Sequence, residues 1–137
     1  MTDIPDDRRY TREHEWARSE SGGDNRIVIG ITDYAQDQLG DVVFVGLPEP
    51  GAEVHAGEPL GEVESTKSVS DIYSPVSGRV VERNTEMESS PELVNSDPYG
   101  QGWLVVVTAD PESLSELMSA EEYGKFLEEQ EDGVDQP

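Results

Sequence analysis

The chain contains no cysteine. A disulfide framework, a thiolate nucleophile and a zinc–thiolate site are therefore excluded, and any sulfur redox chemistry must come from a bound group. Lysine is nearly absent: of the 9 basic residues only Lys67 and Lys125 are lysines. Against these stand 31 acidic residues, giving a formal net charge of -22. A phosphate backbone needs a basic footprint, so nucleic acid is excluded as a partner. No apolar run approaches the roughly 18 residues that would span a bilayer, and no early apolar segment of secretory type is present. The expected location is the cytoplasm, away from any membrane. Histidine is limited to His14 and His55, far apart in sequence. Both read as ordinary residues rather than metal ligands, with His14 packing or hydrogen-bonding locally. No Ser/His/Asp set, phosphate-binding loop or metal cluster is visible, which makes an enzyme the least favoured class.

The acidity has its own physics. Self-repulsion at a net charge of -22 destabilises a compact fold in dilute buffer. At molar salt the Debye length falls to about 3 Å and that repulsion is largely screened. Few lysines with abundant Asp and Glu point to a salt-accumulating, halophilic prokaryote. The same like charge opposes self-association, so a monomer is expected.

A hydrophobic content of 34% is low for a globular chain of 137 residues. The apolar residues nevertheless cluster in short runs, and one folded domain is expected. Residues 1–9 read as a flexible N-terminus, 10–127 as the domain and 128–137 as an acidic disordered tail. Tyr10 to Trp16 leads into a first strand, followed by a Gly22-Gly23-Asp24-Asn25 turn. Ile27 to Ile31 is a β-branched strand. Thr32 or Asp33 can cap a short helix through Leu39, and Gly40 suits its C-terminal stop. Further strands are expected at 41–45, 57–64, 69–73, 79–82 and 103–107. One helical turn is expected around Pro91 to Asn95. Asp110-Pro111 opens a short helix carrying Leu114, Leu117 and Met118 on one face. Ser119 with Glu122 forms a capping box for another, with Tyr123, Phe126 and Leu127 as its apolar side. Trp16 and Trp103 read as core. Short strands with Gly/Pro turns at regular spacing indicate a closed β-barrel or a sandwich.

Lys67 stands between two of these strands, in Glu64-Ser65-Thr66-Lys67-Ser68-Val69-Ser70-Asp71-Ile72-Tyr73. An amine can lose its proton and form a covalent bond at nitrogen, which a guanidinium does not. A carrier lysine must be exposed, held on a tight turn, and free of neighbouring lysines that could be modified in error. Lys67 satisfies each condition in a lysine-poor chain. It reads as the attachment point of a swinging cofactor arm; the plainer alternative is a solvated turn residue.

Several separated blocks then resemble one family, the glycine cleavage system H proteins. They are Glu13-His14-Glu15-Trp16, Gly30-Ile31-Thr32-Asp33-Tyr34-Ala35-Gln36, Leu39-Gly40-Asp41, Leu47-Pro48 with Gly51, and Glu64-Ser65-Thr66-Lys67. They continue with Asp71 to Gly78, Pro91 to Asn95 and Asp97 to Trp103, so the resemblance covers most of residues 10–127. It implies a mainly β fold, the lipoyl-type barrel-sandwich hybrid, with short C-terminal helices. It implies a non-catalytic carrier with lipoate in amide linkage on Lys67. The implied partners are a pyridoxal-phosphate glycine decarboxylase, a tetrahydrofolate-dependent aminomethyltransferase, dihydrolipoamide dehydrogenase and a lipoate-attaching enzyme. Such an arm visits several active sites at high effective concentration, and the cofactor carries the hard chemistry. In the family the loaded, cationic arm is sheltered in a cleft, where Glu15 and Asp71 match acidic positions. Tyr34 lies near the arm at a position where many relatives carry histidine, which leaves it as a hydrogen-bond donor. Thr66 replaces an aliphatic residue of similar shape.

Other carriers fit less well. Biotin domains flank the lysine with methionine, whereas Thr66 and Ser68 do so here. Lipoyl domains of 2-oxoacid dehydrogenases carry Asp-Lys-Ala within longer chains. A related carrier that relays lipoate to other proteins would share the attachment chemistry. A structural acidic β-domain that docks a partner and carries nothing is the alternative from a different class.

Overall fold

The computed structural model describes residues 3–20 and 25–135. Most of the expected Gly22-Gly23-Asp24-Asn25 turn lies outside the described residues; Asn25 itself has φ 60°. Among the described residues nine strands make up the body: β1 (Arg9–Tyr10), β2 (Glu15–Ser19), β3 (Arg26–Ile31), β4 (Val42–Gly46), β5 (Glu53–Val54), β6 (Pro59–Ser65), β7 (Val69–Tyr73), β8 (Gly78–Arg83) and β9 (Val105–Thr108). They form a six-stranded sheet in the order β1-β2-β3-β9-β8-β5 and a three-stranded sheet in the order β4-β6-β7. All pairings are antiparallel.

Alternation along the strands decides what each face buries. Ile27, Ile29 and Ile31 of β3, with Val105 and Val107 of β9, join Val45, Val63 and Ile72 of the smaller sheet in one core. Val28 and Val106, on the opposite face, join Tyr10, Trp16, Tyr123 and Leu127 in a second. The large sheet is thus covered on one face by the small sheet and on the other by helix α3 (Ala120–Asp135). This is a mainly β architecture of two packed sheets with short helices, as expected from the sequence.

Local signals explain the helices. The Thr32 hydroxyl accepts from the Ala35 amide and opens α1 (Asp33–Leu39), and Gly40, at φ 81°, closes it. Ser119 and Glu122 exchange side-chain and backbone hydrogen bonds of 2.8 and 3.2 Å, the reciprocal capping box that starts α3. The turn expected near Pro91 is α2 (Leu93–Ser96).

One expectation is corrected, at Pro111. The helix opening at Pro111 is a 3-10 turn, Pro111–Glu116, because Leu117 turns extended to let Met118 bridge Tyr10. Helix α3 runs on through residues 128–135 to Asp135; the segment is rich in Glu and Gln, good helix formers, and Leu127 anchors its start in the core. The stretch from Tyr10 to Trp16 leads into β2, as the sequence indicates: the His14 amide donates back to the Thr11 carbonyl at 3.1 Å and His14 takes a positive φ of 74°, turning the chain between β1 and β2. Residues 3–9 make defined contacts. The Arg8 guanidinium stacks 4.6 Å over Trp16 and donates to the Tyr99 carbonyl at 3.1 Å, and the Asp3 amide donates to Asp33 at 3.0 Å.

Candidate functional site

Lys67 sits at the tip of the β6–β7 hairpin and is exposed. The tip is built by Ser65. Its amide donates to the Ser68 carbonyl at 2.8 Å, and its hydroxyl oxygen accepts from the amides of Ser68 at 3.1 Å and Lys67 at 3.3 Å. This is the serine-led turn that lets a short side chain stand in for a backbone acceptor. The Thr66 amide donates to the Asp41 carbonyl at 3.0 Å and pins the tip to the start of β4. The lysine backbone is therefore fixed while its amine is free.

The Lys67 stem passes close to Gly40 at the end of α1: a Cβ placed on Gly40 would stand 3.1 Å from Lys67 Cε. Asn95, in α2, holds this corner. Its amide nitrogen donates to the Gly40 carbonyl at 2.9 Å and to Gln36 Oε1 at 3.0 Å, and its oxygen accepts from the Val42 amide at 2.9 Å. One side chain thus ties α1, α2 and β4 together beneath the hairpin. Ser65 and Asn95 escaped the sequence reading as site-building residues. Ser65 carried a signal, a serine at the first position of a four-residue turn; Asn95 carried none beyond its place in the Pro91–Asn95 block of the resemblance.

Beside the hairpin lies a cleft of about 290 Å3 between α1 and β7, floored by residues 13–15. Glu15, Tyr34 and Asp71, far apart in sequence, all line it. Lys67 itself does not, though its neighbours Ser68 and Val69 do. Glu15 is only 2% exposed. Its carboxylate accepts from the Thr11 hydroxyl at 2.6 Å and from the Tyr73 amide at 3.2 Å. Burial disfavours the charged form more than these donors favour it, and the Glu15 pKa is pushed up to about 7. Asp71 is exposed on β7, opposite Glu62.

His14 belongs to the same wall, which corrects the reading of it as a locally satisfied residue. Its Nδ1 lies 2.8 Å from the Tyr123 hydroxyl, 109 residues away, and its ring meets Tyr34 at 4.6 Å between centroids. Burial lowers its pKa, so it is neutral near pH 7. Tyr123 also bonds the buried Thr32 hydroxyl at 2.8 Å and stacks on Tyr10 at 4.7 Å. The C-terminal helix thus sets the back of the cleft. His55 lies elsewhere, exposed in the turn after β5.

Two β-sheets thus present one exposed amine on a pinned hairpin, with a partly buried acidic cleft beside it. Comparison with known proteins places this arrangement in a family. The family model for the glycine cleavage H-protein matches residues 8–130. The glycine cleavage system H protein of Rubrobacter xylanophilus is 60% identical over 131 residues, covering 96% of this chain and all of that protein. That of Mycobacterium avium is 57% identical over 134 residues, covering 94% of this chain and all of its own. The crystal structure of a glycine cleavage system H protein from Mycobacterium marinum superposes with a TM-score of 0.80 at 49% identity, covering 89% of this chain and 97% of that one. The chain belongs to the glycine cleavage H-protein family. These are lipoyl carriers, components of a multienzyme system that are not themselves catalytic.

Proposed function

We propose that Lys67 carries lipoate in amide linkage and that the chain shuttles the aminomethyl group of glycine from glycine decarboxylase to the aminomethyltransferase, then presents the dithiol to dihydrolipoamide dehydrogenase. The observation that carries this reading is a solitary lysine, fixed by Ser65 and the Thr66–Asp41 bond, standing beside an acidic cleft. The residues present fit the group. The amine is exposed for modification, and the cleft offers a carboxyl that can trade a proton for a cation. When bound, lipoate supplies a dithiolane that takes up the one-carbon unit and is returned to the disulfide.

The chain's own residues then hold the load. Glu15, with a pKa of about 7, is part protonated when the cleft is empty near neutral pH. A cationic amine entering the cleft favours the ionised carboxylate, and the attraction is stronger there than in water. Asp71 adds charge at the rim, and Tyr34 closes the wall formed with His14. The cytoplasm of a halophilic prokaryote is the proposed setting, with the chain acting as a monomer. Among the described residues no helix is long and apolar enough to cross a membrane.

Peptide mass spectrometry of protein from its native cell tests the reading. A lipoyl adduct on Lys67, lost in Lys67→Arg, is expected. Unmodified Lys67 in a cell competent to lipoylate would instead favour a docking domain that carries nothing. Glu15→Gln in the loaded protein is expected to speed loss of the aminomethyl group; an unchanged decay removes Glu15 from the site.

A further inference from the structure

The large exposed apolar side chains among the described residues are three, and all lie by the Lys67 hairpin: Val43 at 53%, Phe44 at 49% and Val69 at 60% exposure. Register explains why. Phe44 pairs with Glu64, and Glu64 pairs with Val69, so the three form one row across β4, β6 and β7. The next inward row, Val45–Val63–Ser70, turns its valines into the core. The Phe44 row therefore faces outward. A β-bulge between Val42 and Phe44 adds Val43 to the exposed side. The row after that is Gly46–Glu62–Asp71. Gly46 makes a seat for the Phe44 ring: a Cβ there would stand 3.2 Å from Phe44 Cε2. Glu62, Glu64 and Asp71 take part in no ion pair among the described residues.

Apolar groups clustered on a chain otherwise sheathed in carboxylates mark a contact surface. The reach of the lysine says which partner must use it. An unmodified lysine carries its nitrogen only about 6 Å from the backbone. An enzyme that acts on a loaded arm is met by the whole length of the arm and can stand off from the hairpin. An enzyme that acylates the bare amine has no such clearance and must close over the tip and its flanks, where Val69 and the Phe44 row lie.

We propose that the outer row Phe44–Glu64–Val69, with Val43, is the docking surface for the enzyme that acylates Lys67. That enzyme would offer an apolar recess for Phe44 and Val69 and a basic group for Glu64, the carboxylate between them. This rests on the reading of Lys67 as the attachment site. In the step served, neutral Lys67 Nζ attacks the carbonyl carbon of an activated acyl donor, an acyl adenylate or thioester. The C–N bond forms, the leaving group departs with its bonding pair, and the nitrogen releases one proton to solvent. No oxidant or reductant is required.

The test uses the full unloaded chain, a purified lipoate ligase with lipoate and ATP, and intact-mass readout of acylation. Phe44→Ser/Val69→Ser is expected to lower kcat/KM about 30-fold, chiefly through KM, as loss of two central apolar anchors does. Glu64→Gln is expected to lower it about 5-fold, in keeping with one charged contact at an interface. In parallel, acylation of Lys67 by an N-hydroxysuccinimide ester and the melting temperature are read for each variant. Both are expected to stay as in the parent, which separates lost docking from a damaged hairpin. A double variant acylated by the ligase within twofold of the parent overturns the proposal. So does a double variant whose ligase defect is matched by an equal loss of ester reactivity. If the parent itself is not acylated at Lys67, the carrier reading fails, and the docking proposal with it.

Discussion

The Glu15 carboxylate accepts a hydrogen bond from the Tyr73 backbone amide at 3.2 Å, joining residues 58 positions apart across the cleft. That contact fastens the floor of the cleft on β2 to the strand that returns from Lys67. It also draws a carboxyl into a site where its charge is poorly solvated, and the consequences can be measured.

The first concerns pH. The folded-state pKa of Glu15 is raised by burial to about 7, above its ordinary value of 4.5. The folded state therefore binds the proton more tightly than the unfolded state, so stability falls as pH rises through this window. The Glu15 contribution is fully present below pH 4.5 and lost above about 7. Glu15→Gln is expected to flatten that stretch of the stability profile and to stabilise the unloaded protein at pH 8 by about 1–3 kcal/mol. Urea melts between pH 5 and 8 check it; parallel profiles for parent and variant would rule the effect out.

Tyr123 is the second test. Its hydroxyl serves both His14 Nδ1 and the buried Thr32 oxygen at 2.8 Å. Tyr123→Phe keeps the stack on Tyr10 but removes both bonds, and a loss of about 1–3 kcal/mol is expected. The same variant should shift the His14 resonances in an NMR titration, because its ring loses its anchor to α3.

Asn95 is expected to matter more than its position suggests. Asn95→Ala removes three hydrogen bonds at the junction of α1, α2 and β4. A cost of about 2–4 kcal/mol is expected from a part-buried polar network of this kind. Amide exchange should quicken at Val42 and Thr66, whose backbone bonds that corner supports, while β9 stays protected.

Gly30 pairs with Trp16 on the face under α3. A Cβ on Gly30 would stand 2.6 Å from the indole atoms Cε2 and Cζ2, a distance that forces the ring to move. The ring is held by its Nε1–H, which donates to the Pro98 carbonyl at 3.0 Å. Gly30→Ala is expected to destabilise by about 2–4 kcal/mol, the cost of overpacking a closed core. A thermal melt reads it directly, and a variant as stable as the parent would mean that the ring has room to shift.

Charge supplies a test of setting. With a net charge of -22, stability is expected to rise steeply with potassium chloride up to molar concentration. Equal denaturation midpoints at low and molar salt would remove the halophilic reading.

Much of the architecture was legible along the chain because its signals are local. β-branched runs mark β3 and β9, Thr32 and Gly40 bracket α1, and the Ser119/Glu122 box starts α3. What escaped depends on contacts at long range. Residues 3–9 are polar in composition, yet Arg8 finds the Trp16 face only once β1 and β2 are paired. The placement of α3 depends likewise on distant partners: Tyr123 and Leu127 are buried against the sheet.

By itself the sequence determined the alternating strands, the missing thiols and basic footprint, and the solitary Lys67 between two strands. These follow from residue type and spacing, which act on near neighbours. Only the tertiary structure decided that Glu15, Tyr34 and Asp71 meet on one cleft, that His14 reports to the C-terminal helix, and that Phe44 and Val69 share a row. Strand order and register bring together residues that the chain keeps tens of positions apart, and burial then sets the charge that each of them can hold.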